Sequence, residues 1–139
     1  MKKILIAIDN SPASKKILSA GASLAKKYKS KATIVAVAPT SFEGDLNENE
    51  AKLLKDAVII RTRVILEDAA VMFKRVKLKI NTVLREGDPA AEILLLAKEI
   101  KPDIIIVGST GKGKIKRFFL GSVSRKIVEL AKFSVLVVK

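Results

Sequence analysis

A parallel α/β sheet with helices on both faces is what this 139-residue sequence predicts. Two observations carry the prediction. Residues 4–8, 33–38, 104–107 and 135–138 are apolar runs with little polar alternation, the pattern of strands buried on both faces. Between them lie stretches of helical period. The resulting order, β-α-β-α-β-α-β-α-β, folds through right-handed crossovers into a single-domain, doubly wound sheet of five strands.

Each element has its own signal. The first strand stops at Asp9, and Ser11-Pro12 then offers an N-cap serine and a first-turn proline. Ile17, Ala20, Gly21, Leu24 and Tyr28 repeat at helical spacing, with Lys15, Lys16, Lys26 and Lys27 on the polar side. After the second strand, Pro39, Ser41, Gly44, Asp45 and Asn47 mark a loop. A longer helix follows to about Phe73, with Leu54, Val58, Ile65, Ala69 and Met72 as its apolar positions. Val76-Lys77-Leu78-Lys79-Ile80 alternates cleanly and predicts a third strand with one wet face. Gly87-Asp88-Pro89 opens a helix through Ile93, Leu96 and Ala97, ended by Lys101-Pro102. A last helix is expected over about 121–132, before the closing strand.

Composition excludes several kinds of chemistry. With 49% hydrophobic and 29% charged residues the chain is a compact globule rather than a disordered one. It has no cysteine and no histidine, which removes disulfides, thiolate metal sites and the commonest general base. Chemistry must come from carboxylates, hydroxyls, lysines or a bound cofactor. The net charge of +13 favours polyanionic partners, although lysines scattered over a solvated surface give the same total. The apolar run after Met1-Lys2-Lys3 ends at Asp9, too short for a signal core or a membrane span. A cytoplasmic chain with no membrane partner is expected.

In a doubly wound sheet, ligands lie outside the carboxyl ends of the strands, where the strand order reverses. Asp9 and the segment 108–122 fall there. Gly108, Gly111 and Gly113 let backbone N–H groups approach a ligand, Lys112, Lys114, Lys116 and Arg117 add charge, and Gly121-Ser122 stands where a helix N-terminus favours phosphate. Gly108, four residues, then Gly113-Lys114 resembles a phosphate-binding loop. Ile115, however, occupies the place where Mg²⁺ needs Ser or Thr, and the one strand that remains contains no carboxylate.

Read further, Gly108-Ser109-Thr110-Gly111, nine residues, then Gly121-Ser122 forms G-x2-G-x9-G-[S/T], which resembles the motif of the universal stress protein family. The resemblance covers essentially the whole chain: "KILIAIDNSPAS" is similar to the family's opening strand, "GDPAAEI" to its Gly-x-Pro segment, "PDIIIVGSTG" to its fourth strand, "RFFLGSVSRKIV" to the helix that follows and "SVLVVK" to its closing strand. It implies five parallel strands in the order 3-2-1-4-5, often a homodimer, and binding of ATP, with Mg²⁺ carried on the phosphates. By position it implies Asp9 at the ribose or adenine end and the Val37 backbone against adenine. Gly108, Gly111, Gly121 and Ser122 would surround ribose and phosphates, with Val107, Thr110 and Val123 near them. The chain departs from the family at Thr110, where histidine is common, at Ser134, where proline is usual, and at Gly113-Lys114.

Three functions remain in play. A regulatory ATP binder needs only these donors. A slow ATPase needs a base or metal ligands around the γ-phosphate, and the loop offers neither carboxylate nor glutamine. A nucleic-acid binder would use the +13 charge, but aromatics for base stacking are scarce. In the implied order the third and fifth strands are edges. Lys77 and Lys79 are expected to protect the third, whereas the fifth, apolar throughout, is expected to pair with its own copy. Valine at Gly121 is expected to crowd the phosphate and to meet an unfavourable backbone angle.

Overall fold

A computed structural model describes residues 1–109 and 120–139. Five parallel strands, β1 (Lys3–Ile8), β2 (Lys31–Ala38), β3 (Ile80–Glu86), β4 (Ile104–Gly108) and β5 (Ser134–Val138), stand in the order β3-β2-β1-β4-β5. The helices between them are α1 (Ser14–Tyr28), α2 (Glu48–Arg75), α3 (Pro89–Ile100) and α4 (Ser122–Leu130). The strand order 3-2-1-4-5 expected from the family resemblance is thus observed.

The central strand explains why the apolar runs lack alternation. β1 is in register with β2 from Lys3↔Lys31 to Ile8↔Ala36 and with β4 from Ile4↔Ile104 to Ile6↔Ile106. Its side chains still point alternately to the two faces, but both faces are core. Ile4, Ile6 and Ile8 join Ile17 and Leu18 of α1 and Leu66 and Phe73 of α2. Leu5 and Ala7 join Ile93 and Leu96 of α3 and Ile127 of α4. α1 lies so close to β1 that a Cβ on Gly21 would come 2.3 Å from Ile6 Cδ1.

Helix ends follow local chemistry. Asn47 caps α2, its side chain accepting from Glu50 N at 2.8 Å. Asp88 caps α3, accepting from Ala91 N at 2.9 Å with Pro89 at the first position. Gly87 makes the turn before it at φ 138°, a backbone region that side-chain-bearing residues avoid.

Two expectations are corrected. Residues 76–79 are not a strand. Val76 N and Leu78 N donate to Phe73 O, Lys77 N donates to Lys74 O, and Lys77 takes φ 57°. These residues close the C-terminus of α2, and the strand begins at Ile80. The apolar–basic alternation there comes from Leu78 turning toward the core while the lysines stay in water. Lys77 and Lys79 therefore do not guard the β3 edge; Arg85 and Glu86 supply its charge. The first helix, moreover, starts at Ser14 with Ala13 at its N-cap, rather than at Pro12 with Ser11 as the cap. Among the described residues, no helix is long and apolar enough to cross a membrane.

Candidate functional site

β1 ends where its two neighbours, β2 and β4, take the chain in opposite directions across the sheet, which opens a crevice at the carboxyl ends of the strands. Asp9 is the first residue past β1. Its Oδ1 accepts from Ser11 N at 2.8 Å and lies 3.3 Å from the Ser14 hydroxyl. That hydroxyl donates to Asp9 O at 2.7 Å and accepts from Asp9 N at 3.1 Å. Asp9 thus takes over the turn that Ser11 was expected to cap. Ser11 Oγ is left buried without a partner among the described residues, and the N-cap position, Ala13, has no side-chain bond.

The opposite wall comes from β4 and α4. Ser109 N donates to Val138 O at 2.9 Å, extending the β4–β5 ladder by one bond. Ser109 O then accepts from Gly121 N at 2.7 Å and from the Ser124 hydroxyl at 3.2 Å. The chain therefore leaves this site at Ser109 and returns beside it at Gly121. Gly121 is the N-cap of α4, at φ −63° and ψ 165° with no side-chain cap. The first paired amide of α4 among the described residues is Arg125 N, on Gly121 O. Helix geometry leaves the N–H groups of Ser122, Val123 and Ser124 for acceptors outside the helix, and the helix dipole favours an anion there.

These elements enclose a cavity of about 370 Å³, lined by Asp9, Val37, Val107, Gly108, Gly121, Ser122 and Val123 among others. That volume falls within the usual range of small-molecule sites, about 300–1,000 Å³. The seven residues come from β2, β4, α4 with its N-cap, and the turn after β1, yet they share one concave surface. Thr110 and Gly111, also expected at the site, lie outside the described residues. Gly121 departs from expectation in its backbone angle, and its N–H is engaged within the protein. Its N–H is occupied by Ser109 O, so α4's own first turn supplies the donors. Its φ and ψ are open to any residue, so no backbone angle demands glycine there.

Sequence reasoning missed the contribution of α2. Val58, Arg61, Thr62 and Ile65 line the cavity beside Val37 and Pro39. Val58 and Ile65 have the apolar period that would assign them to the core. Nothing in the sequence says that α2 reaches past the carboxyl ends of the strands and brings Arg61 to the crevice. Arg61 and Asp9 are the charged residues on the described lining, so the mainly apolar cavity has one cation and one anion on it.

A family model described as "Universal stress protein family" matches residues 1–139. The chain belongs to the universal stress protein family. The universal stress protein YxiE of Bacillus subtilis is 34% identical over 99% of this chain and 98% of its own length. Among solved structures, the universal stress protein UspA of Lactobacillus plantarum superposes with a TM-score of 0.83 at 21% identity, covering 99% of this chain and 97% of that one. The universal stress protein of Archaeoglobus fulgidus, solved in complex with dAMP, superposes with a TM-score of 0.73 at 19% identity, over 100% and 98% of the two chains. As a universal stress protein, this chain has the two described ends of its glycine motif, Gly108 and Gly121-Ser122, at the reversal of strand order.

Proposed function

We propose that this universal stress protein binds ATP in the crevice between β1 and β4 and acts in the cytoplasm as a nucleotide-dependent regulator in the stress response. One observation carries the proposal: the cavity unites a carboxylate, Asp9, an apolar wall that includes Val37, and the open N-terminus of α4. Asp9 suits sugar hydroxyls. Its Oδ1 is held by the turn, and Oδ2 has no donor among the described residues. The Val37 backbone suits adenine. The Ser122 hydroxyl and the first N–H groups of α4 suit phosphates, with Gly108, Thr110, Gly111, Val107 and Val123 around them, and Mg²⁺ would be carried on the phosphates. The dAMP held by the Archaeoglobus relative supports a nucleotide as ligand. Calorimetric titration with ATP and Mg²⁺, together with identification of any nucleotide released on denaturation, tests this reading. No heat at several temperatures and no released nucleotide would overturn it.

Binding is favoured over turnover. Asp9 is the sole carboxylate on the described lining, and its position in the β1 turn ties it to the sugar end rather than to an attacking water. Rapid stoichiometric hydrolysis would shift the reading to an ATPase. A nucleic-acid partner would instead appear as an electrophoretic shift with a steep salt slope.

We also propose a two-fold dimer through β5. Its neighbours on one side are β4 residues, from Ile104↔Ser134 to Gly108↔Val138, and its other edge lies at the sheet boundary. It carries no charged residue, whereas the β3 edge carries Arg85 and Glu86. Leu136→Lys should convert the dimer to a monomer in sedimentation at micromolar concentration.

A further inference from the structure

The outer face of α2 has a pattern that the nucleotide site does not use. Thr62, Leu66, Ala69 and Phe73 are the buried side of this 28-residue helix. At about 100° per residue, Leu53, Ala57, Ile60, Val64 and Val71 fall on the side opposite to it. All five are exposed: Leu53 by 71%, Ile60 by 59%, Val64 by 48% and Val71 by 49%, with Ala57 in the same class. Their spacings of four, three and four residues, then seven, are the a/d repeat of a coiled-coil seam. The position skipped in the last step is Glu67.

We propose that this seam pairs with the same seam of a second copy of the chain, helices antiparallel. Antiparallel pairing sets a positions of one helix against d positions of the other. Ala57 of one copy then meets Ile60 of the other, Leu53 meets Val64, and the two-fold axis repeats both layers. The flanking positions support self-pairing. Asp56 and Arg63 occupy equivalent places beside the seam, one heptad apart. In this register Asp56 of each copy faces Arg63 of the other, giving two opposite-charge pairs. A parallel pair would instead set Asp56 beside Arg61 and Arg63 beside Asp68 of the other copy, and so would draw Arg61 away from the cavity that it lines. The charge balance points the same way. α2 holds five acidic and six basic residues, a net +1, on a chain of +13. α2 therefore adds little of its own to the repulsion between two such chains, and salt screens the remainder beyond about 8 Å. Glu50 and Glu67 bound the seam at its ends and limit it to four layers. It therefore belongs with weak interfaces, those burying less than about 1,200 Å².

Sedimentation equilibrium over a concentration series tests the proposal in the Leu136→Lys background, which removes β5 pairing and keeps the two interfaces distinct. The expected result is a mass that rises from monomer toward dimer with concentration, and Ile60→Lys should abolish the rise. Asp56→Arg and Arg63→Asp should each weaken association, and the double swap should restore it, because the pairs re-form with reversed sign. Asp56, Ile60 and Arg63 are exposed, so these substitutions should leave the circular dichroism of the Leu136→Lys background unchanged. A monomer at every concentration, or association unaffected by Ile60→Lys, would overturn the proposal. So would a double swap no stronger than the single variants.

Discussion

The Ser14 hydroxyl and the Asp9 main chain hold each other from both sides, the hydroxyl donating to Asp9 O at 2.7 Å and accepting from Asp9 N at 3.1 Å. Ser14 is 8% exposed, so no bulk water replaces these bonds. Ser14→Ala should destabilise the fold by about 1–3 kcal/mol, the cost of unpaired buried polar groups. It should also weaken nucleotide binding, because the turn that presents the Asp9 carboxylate loosens. Urea denaturation and calorimetry on the same variant check both, and wild-type affinity would show that Asp9 is positioned by Ser11 N alone.

Gly121→Val and Lys114→Ala separate two readings of the glycine segment. Valine fits the Gly121 backbone at φ −63° and ψ 165°, so the protein should fold with unchanged circular dichroism. Its branched side chain would crowd the cavity beside the α4 N-terminus and remove detectable ATP binding. Lys114→Ala should cost no more than an exposed ion pair, roughly 0–1 kcal/mol, or less than tenfold in Kd. The reverse ranking would make Lys114 the anchor.

Gly21→Ala pits helix propensity against packing. Alanine improves a helix by about 1 kcal/mol, but the new Cβ would lie 2.3 Å from Ile6 Cδ1, in a fully buried core. Overpacking of this kind costs about 1–3 kcal/mol, so a net loss in thermal stability is expected. Ile6→Val removes the clashing methyl. The double variant should therefore be more stable than the sum of the single changes, by at least about 0.5 kcal/mol of coupling.

Asp103 gives stability a pH dependence with a defined sign. Its Oδ2 accepts from Lys3 N at 2.9 Å and Lys2 N at 2.7 Å. Those two bonds, Lys3 first, hold its pKa below the ordinary 3.8. A depressed folded value means that the stabilisation is fully present above the ordinary carboxylate range and is lost as pH falls through the folded value. Asp103→Asn should therefore lower stability near neutrality. The difference from wild type should shrink as denaturation is followed into acid below that range, and a gap that stays constant would show that charge plays no part.

The strands at the centre were legible because burial on both faces leaves a continuous apolar run, as in residues 4–8 and 104–107. β3 was not, because Asn81 and Thr82 are exposed and dilute its signal, while the turn at residues 76–79 imitates alternation. Asp9, Gly108 and Gly121 could be placed at the strand ends by chain order alone, and Val37 only through the family resemblance. Arg61 and Ser14 could not. Arg61 reaches the cavity through the tertiary position of α2, and Ser14 matters through a hydroxyl five residues from the carboxylate it supports. Tertiary placement and side-chain reach leave no trace in local pattern.

The shared acceptor at Ser109 O has a consequence for how the segment between 109 and 121 can diverge. Gly121 N and the Ser124 hydroxyl both dock on that one oxygen, so the two ends of the segment are fastened by residues outside it. A span closed by its frame adds only a slowly growing entropy cost with length, about 0.6 kcal/mol per doubling. The frame thus behaves as a socket whose closure lies wholly in Ser109, Gly121 and Ser124, so a change in the sequence between 109 and 121 leaves those closing bonds available. Ligand preference can drift in such a fold while its stability stays where β1 and its neighbours set it.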